Sequence, residues 1–97
     1  MAYFKVTKEI LEQFNISETD AANQVNTMKD IIGNRIWVMF VESENQIRVR
    51  IRSAETPINN IARQYDGGGH PLASGATVST WAEADSLISD LVALLNN

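Results

Sequence analysis

No cysteine occurs in the chain, which removes any disulfide framework and any thiolate metal site, so nothing in it asks for an oxidising compartment. No apolar run approaches the roughly 18 residues that span a bilayer, and Met1-Ala2-Tyr3-Phe4-Lys5 does not open a basic-then-apolar leader. A soluble, cytoplasmic protein without membrane contact is expected. Positive charge is scarce: 8 Lys and Arg against 12 Asp and Glu leave a net charge of −4. Holding long nucleic acid by bulk electrostatics takes many cations to replace counterions, so this class of function is disfavoured and any bound anion must be caught locally. Imidazole is confined to one residue, His70. What remains is 97 residues, 44% hydrophobic and 21% charged, enough for one domain with a single modest core.

Phe4 and Val6 flank Lys5 in a short alternating run that fits an edge or linker strand, and a brief helical stretch, Lys8 to Phe14, follows Thr7. Residues 1–16 are expected to connect to the domain proper, residues 17–97. Ser17 with Asp20 resembles an N-cap with an acidic first turn, and Ala21, Val25, Met28 and Ile32 recur at helical spacing. The spacing predicts a helix from Glu18 to Ile32, ended by Gly33-Asn34. Ile36 to Val41 is apolar at every position and rich in β-formers, as in a strand covered on both sides. After the polar run Glu42 to Gln46, Ile47, Val49 and Ile51 alternate with Arg48, Arg50 and Arg52, so the second strand of an antiparallel hairpin has an aliphatic and a cationic face.

Pro57 suits a helical first turn, with Ile58, Ile61, Ala62 and Tyr65 as the apolar stripe. Asp66-Gly67-Gly68-Gly69 ends that helix, and Gly75 to Val78 is predicted to return as a strand. Thr80 and Glu83 form a capping box for a last helix striped by Ala84, Leu87, Ile88, Leu91, Val92 and Leu95. The order β-α-α-β-β-α-loop-β-α points to the α/β class, a mixed β-sheet with helices packed on it.

Three successive glycines leave main-chain N–H groups unshielded and reach φ values closed to other residues, so Gly67-Gly68-Gly69 suits the wrapping of a phosphate, although such runs are often only turns. His70, a donor directly after them, shifts the balance towards a site. An alternating charged strand face is ordinarily the solvent side, and Arg48 and Arg50 are read so. Arg52 differs: it stands at the strand end beside Ser53, where a guanidinium can grip a phosphate bidentately with the hydroxyl as a second donor. Glu55, Asp66, Asp85 and the other carboxylates are scattered, so a two-metal hydrolytic centre is not expected from this chain alone. Ser74 has no second histidine to serve as its base. Trp37 is read as core and Trp81 as a packing anchor.

Asp66-Gly67-Gly68-Gly69-His70-Pro71-Leu72-Ala73-Ser74-Gly75-Ala76 resembles the Gly-Gly-Gly-His signature of the DHH-associated domain, subtype 1, found in DHH-type (Asp-His-His) phosphoesterases. Arg50-Ile51-Arg52-Ser53 resembles that family's strand ending in Arg-Ser, and Ile58-Asn59-Asn60-Ile61-Ala62 its next helix. Val6 to Leu11 and Gln24-Val25-Asn26 are similar to the stretch preceding the domain in the branch of bifunctional oligoribonucleases and adenosine 3′,5′-bisphosphate (pAp) phosphatases. The resemblance implies a separate N-terminal DHH catalytic domain carrying two Mn²⁺ ions, with this domain holding the substrate across a cleft and inactive by itself. It implies substrate contacts at Arg52, Ser53, Gly67, Gly68, Gly69 and His70, with Asn26 and Ser74 as neighbours, and substrates that are short RNA oligonucleotides or nucleotide phosphates. A substrate-binding domain of an enzyme that hydrolyses short oligoribonucleotides to mononucleotides and dephosphorylates pAp is the leading expectation. A cyclic-dinucleotide phosphodiesterase, a single-strand-specific exonuclease and a non-catalytic nucleic-acid-binding module are its rivals, and the oligomeric state is left open. Two departures stand out: many members have a glycine where this chain has Asp66, and some follow Arg-Ser with a basic residue where Ala54-Glu55 stands here.

Overall fold

The computed structural model describes residues 1–24 and 35–96. The far end of the predicted Glu18 to Ile32 helix, the Gly33-Asn34 cap and Asn26 lie outside them. Five strands form one mixed sheet in the order β1-β2-β3-β5-β4: β1 Ala2–Val6, β2 Ile36–Glu42, β3 Ile47–Ser53, β4 Gly68–His70 and β5 Ala73–Val78. β1 runs parallel to β2, and every other neighbour is antiparallel. The helices are α1 Lys8–Gln13, α2 Glu18–Asn23, α3 Asn59–Gln64 and α4 Trp81–Leu95.

Because strand residues alternate between faces, β2 and β3 sort their side chains into two clusters. Ile36, Val38, Phe40, Val49 and Ile51 pack with Ile58, Ile61 and Ala62 of α3 and with Ala84, Leu87 and Leu91 of α4. Trp37, Met39 and Val41 face the other way, against Leu11 of α1 and Ala21 and Ala22 of α2. The strand apolar at every position is thus covered on both sides, as its sequence predicts. Residues 1–16, expected as a connector, supply β1 and α1 to this assembly.

Three details depart from expectation. The stretch read as a glycine loop contains a strand, β4, on the sheet edge beside β5. Pro57 precedes α3, which starts at Asn59 with Ile58 as its N-cap residue. Val92 of α4 is 41% exposed, because the buried line through Ala84, Leu87 and Leu91 leaves it on the rim. The predicted capping box is present in altered form. Thr80 accepts from the Glu83 N–H (3.1 Å), but the Glu83 carboxylate reaches back to the N–H of Ser79 (3.3 Å). Among the described residues no helix is long and apolar enough to cross a membrane.

Candidate functional site: an arginine and a histidine in one row of the sheet

The register places Arg52 of β3 opposite Ala73 of β5, and Ala73 opposite His70 of β4. Residues directly opposed in antiparallel strands share a face, so Arg52 and His70 stand on the same side of the sheet with only a methyl group between them. On this side α1 and α2 cover β1 and β2, and the small residues Ala73 and Gly75 of β5 leave the rest of the face low. Arg52 is half-buried, and its Nη1 donates to the carbonyls of Ile51 (3.0 Å) and Ser74 (3.4 Å), which holds the guanidinium flat along the strand ends. Burial first, and then the charge of neighbouring Arg50, lowers its pKa from the ordinary 12.5. His70 accepts at Nδ1 from the Leu72 N–H (3.1 Å). That bond puts the ring proton of the neutral imidazole on Nε2, so this exposed side chain offers an N–H to a ligand.

Ser53 and Ser74 lie on the opposite face and are buried. Ser53 Oγ accepts from the Thr56 N–H (3.0 Å), and Ser74 Oγ donates to the His70 carbonyl (2.8 Å). The turn between β4 and β5 is held further by Ser53 N–H to Leu72 O (2.9 Å) and Ile58 N–H to Pro71 O (2.8 Å). The two serines thus fix from behind the backbone that carries Arg52 and His70.

The glycines have separate tasks. A Cβ on Gly67 would lie 1.9 Å from the Gly75 carbonyl oxygen, so its contact with β5 leaves no space for a side chain. Gly69 adopts φ +135°, closed to L side chains, in an edge strand flanked by no further strand among the described residues. Among the described residues the outward backbone of β4 has no strand partner. Asp66 takes the left-handed φ of 56° that lets the Gly67 N–H close α3 on the Ala62 carbonyl (3.0 Å).

Two features near the glycine strand were not read from the sequence. Arg50 is half-buried and its Nη1 lies 3.1 Å from where a Gly75 Cβ would stand; the glycine opposite an arginine was the available signal. The Tyr65 hydroxyl, just before the glycines, donates to Asp90 of α4 (2.5 Å), a long-range pair with no local pattern to reveal it. The site has the chemistry of anion capture: a guanidinium, an imidazole N–H and exposed main chain. Among the described residues no group of three or more His, Asp or Glu is placed to hold a metal ion. Two other clefts, of about 440 and 450 Å³, are lined from α1 and α2, the first by Glu12, Glu18, Glu42 and Glu44 and the second by Val6, Ile10, Ile16 and Met39. They involve neither β4 nor β5, and the first is too acidic to suit an anion.

The DHHA1 domain model matches residues 2–97. The chain belongs to the DHHA1 family. A Bacillus subtilis (strain 168) protein named bifunctional oligoribonuclease and PAP phosphatase NrnA is 49% identical over 89 residues, covering 92% of this chain and 28% of the relative. This DHHA1 domain therefore spans little more than a quarter of that curated relative's length. An exopolyphosphatase-related protein from Bacteroides fragilis superposes with a TM-score of 0.79 at 27% identity, over 98% of this chain and 28% of that one. The C-Ala domain of Aquifex aeolicus alanyl-tRNA synthetase shares the fold, with a TM-score of 0.74 at 9% identity, over 99% of this chain and 90% of that one.

Proposed function

We propose that this DHHA1 domain is the substrate-holding part of a cytoplasmic phosphoesterase that hydrolyses short oligoribonucleotides to mononucleotides and dephosphorylates pAp. In this reading a separate DHH domain supplies the bond-breaking chemistry on two Mn²⁺ ions, and the isolated domain binds without turnover. The observation that carries it is the Arg52–Ala73–His70 row, two donors on one face beside an open glycine strand, in a chain 49% identical to a protein named for both activities. Arg52 grips a phosphate through its fork, His70 donates from Nε2, and the main chain of residues 67–69 approaches a phosphate or a base closely because no side chain intervenes. A small local site of this kind suits ligands of a few nucleotides read by their ends. It also suits an acidic domain, which must hold its anion by specific contacts.

The test is an NMR titration of the 97-residue chain with pAp and with a diribonucleotide. Amide shifts are expected at Arg52, Gly67, Gly68 and Gly69, and they should vanish in Arg52→Ala and His70→Ala. Shifts that survive both substitutions, or no response at millimolar ligand, would overturn the reading.

A further inference from the structure

Arg52 is the last of three arginines on its side of β3. Arg50 stands in the next row, opposite Gly75, which is itself opposite Gly68; Arg48 stands in the row after that, opposite Thr77. The residues beside this line on β5 are small, so the three guanidinium groups rise along one edge of a low surface. Towards β2 they meet Trp37, Met39 and Val41 in the same rows, and those are covered by α1 and α2. Among the described residues, a ligand lying along the arginines is thus walled on the β2 side by α1 and α2.

A charged strand face is ordinarily explained by solvation, but two observations oppose that here. Among the described residues neither Arg48 nor Arg50 is ion-paired with a carboxylate, in a chain where carboxylates outnumber cations by 12 to 8. Arg50 is also half-buried over Gly75, close enough to Arg52 for its charge to act on that guanidinium. Like charges gathered on one face repel each other, and a bound anion offsets that repulsion.

We infer that Arg52, Arg50 and Arg48 form a ladder that holds successive phosphates of a short single-stranded oligoribonucleotide, with Arg52 and His70 at the first phosphate. Alternate residues on a strand stand about 6.8 Å apart, the scale on which phosphates follow one another along an extended single strand. The inference rests on the proposed function and adds to it a direction, from the row of Arg52 towards that of Arg48, and a length of three phosphates. Contacts to phosphates along a groove are indifferent to base identity, so the ladder measures length and ignores sequence.

The experiment is calorimetric titration of the 97-residue chain with adenosine 5′-monophosphate, pApA and pApApA at several salt concentrations. Affinity is expected to rise at each added phosphate, on the order of fivefold to tenfold for a charge-assisted contact, and the slope of log K against log salt to steepen by about 0.7 per step. Arg50→Gln should cancel the gain from one phosphate to two. Arg48→Gln, an exposed change that leaves packing untouched, should cancel the gain from two to three. If the three ligands bind alike, or if the gains persist in both variants, the ladder is wrong while an Arg52-dependent response to the monophosphate keeps the first site standing. If Arg52→Gln leaves even the monophosphate response unchanged, the first site and the ladder fall together.

Discussion

Asp66 is a non-glycine residue in the left-handed region, and its φ of 56° is tolerated because a short polar side chain suffers least there. Asp66→Gly should raise stability by about 1 kcal/mol, measured by urea unfolding, and should tighten pAp binding by removing a carboxylate beside the anion site. Gly67 is the opposite case. With β5 backbone 1.9 Å from any added Cβ, Gly67→Ala should lower stability by about 2 to 3 kcal/mol and blunt the titration shifts at Arg52. Tyr65 supplies a pH dependence. Burial, then its hydrogen bond to Asp90, then the charges of Asp90 and Glu83, push the phenol up to about 12 from its ordinary 10.0. A raised acid keeps its proton longer in the folded state, so stability is full below pH 10 and declines as pH rises from 10 towards 12. Tyr65→Phe should flatten that decline in a series of urea melts. At this scale the sequence made Arg52 and His70 visible as a pair of donors near glycines. It could not reveal that the hydroxyls of Ser53 and Ser74 turn inward, since strand parity at Ser53 and Ser74 depends on where β3 ends and β5 begins.

Elements were legible wherever a hydrophobic period was. The alternation Ile47, Val49, Ile51 marks β3, the unbroken apolar run marks β2, and the stripe of α4 marks its buried line. Leu87→Ala, on the fully buried line, is expected to cost about 3 kcal/mol, whereas Val92→Ala on the rim should change stability by less than about 0.5 kcal/mol; urea unfolding distinguishes them. β4 escaped notice because Gly68-Gly69-His70 has no alternation to read, and its pairing comes from the turn that ties Pro71 and Leu72 to α3 and β3. The row that joins Arg52 to His70 depends on that pairing, so the residues of the candidate site could be named from the sequence while their geometry could not.

At the scale of the whole molecule, the two helical layers make residues 1–16 part of the domain's packing. Leu11 lies in the cluster with Trp37, Met39 and Val41, Lys5 bridges to Asp85 of α4 (2.7 Å), and Glu42 receives both the Lys8 N–H and the Trp81 indole N–H. Deleting residues 1–16 should uncover one side of β2, seen as binding of an apolar dye and a broadened urea transition. Parallel pairing of β1 with β2 joins segments about thirty residues apart in sequence, a distance at which local patterning says nothing, which is why a connector was expected there.

The sheet ends on one side in β4, three residues long with two glycines at unusual φ. A strand so short and twisted gives another polypeptide little to zip onto. That edge is consequently a poor template for a second chain, and its glycines disfavour edge-to-edge assembly into aggregates.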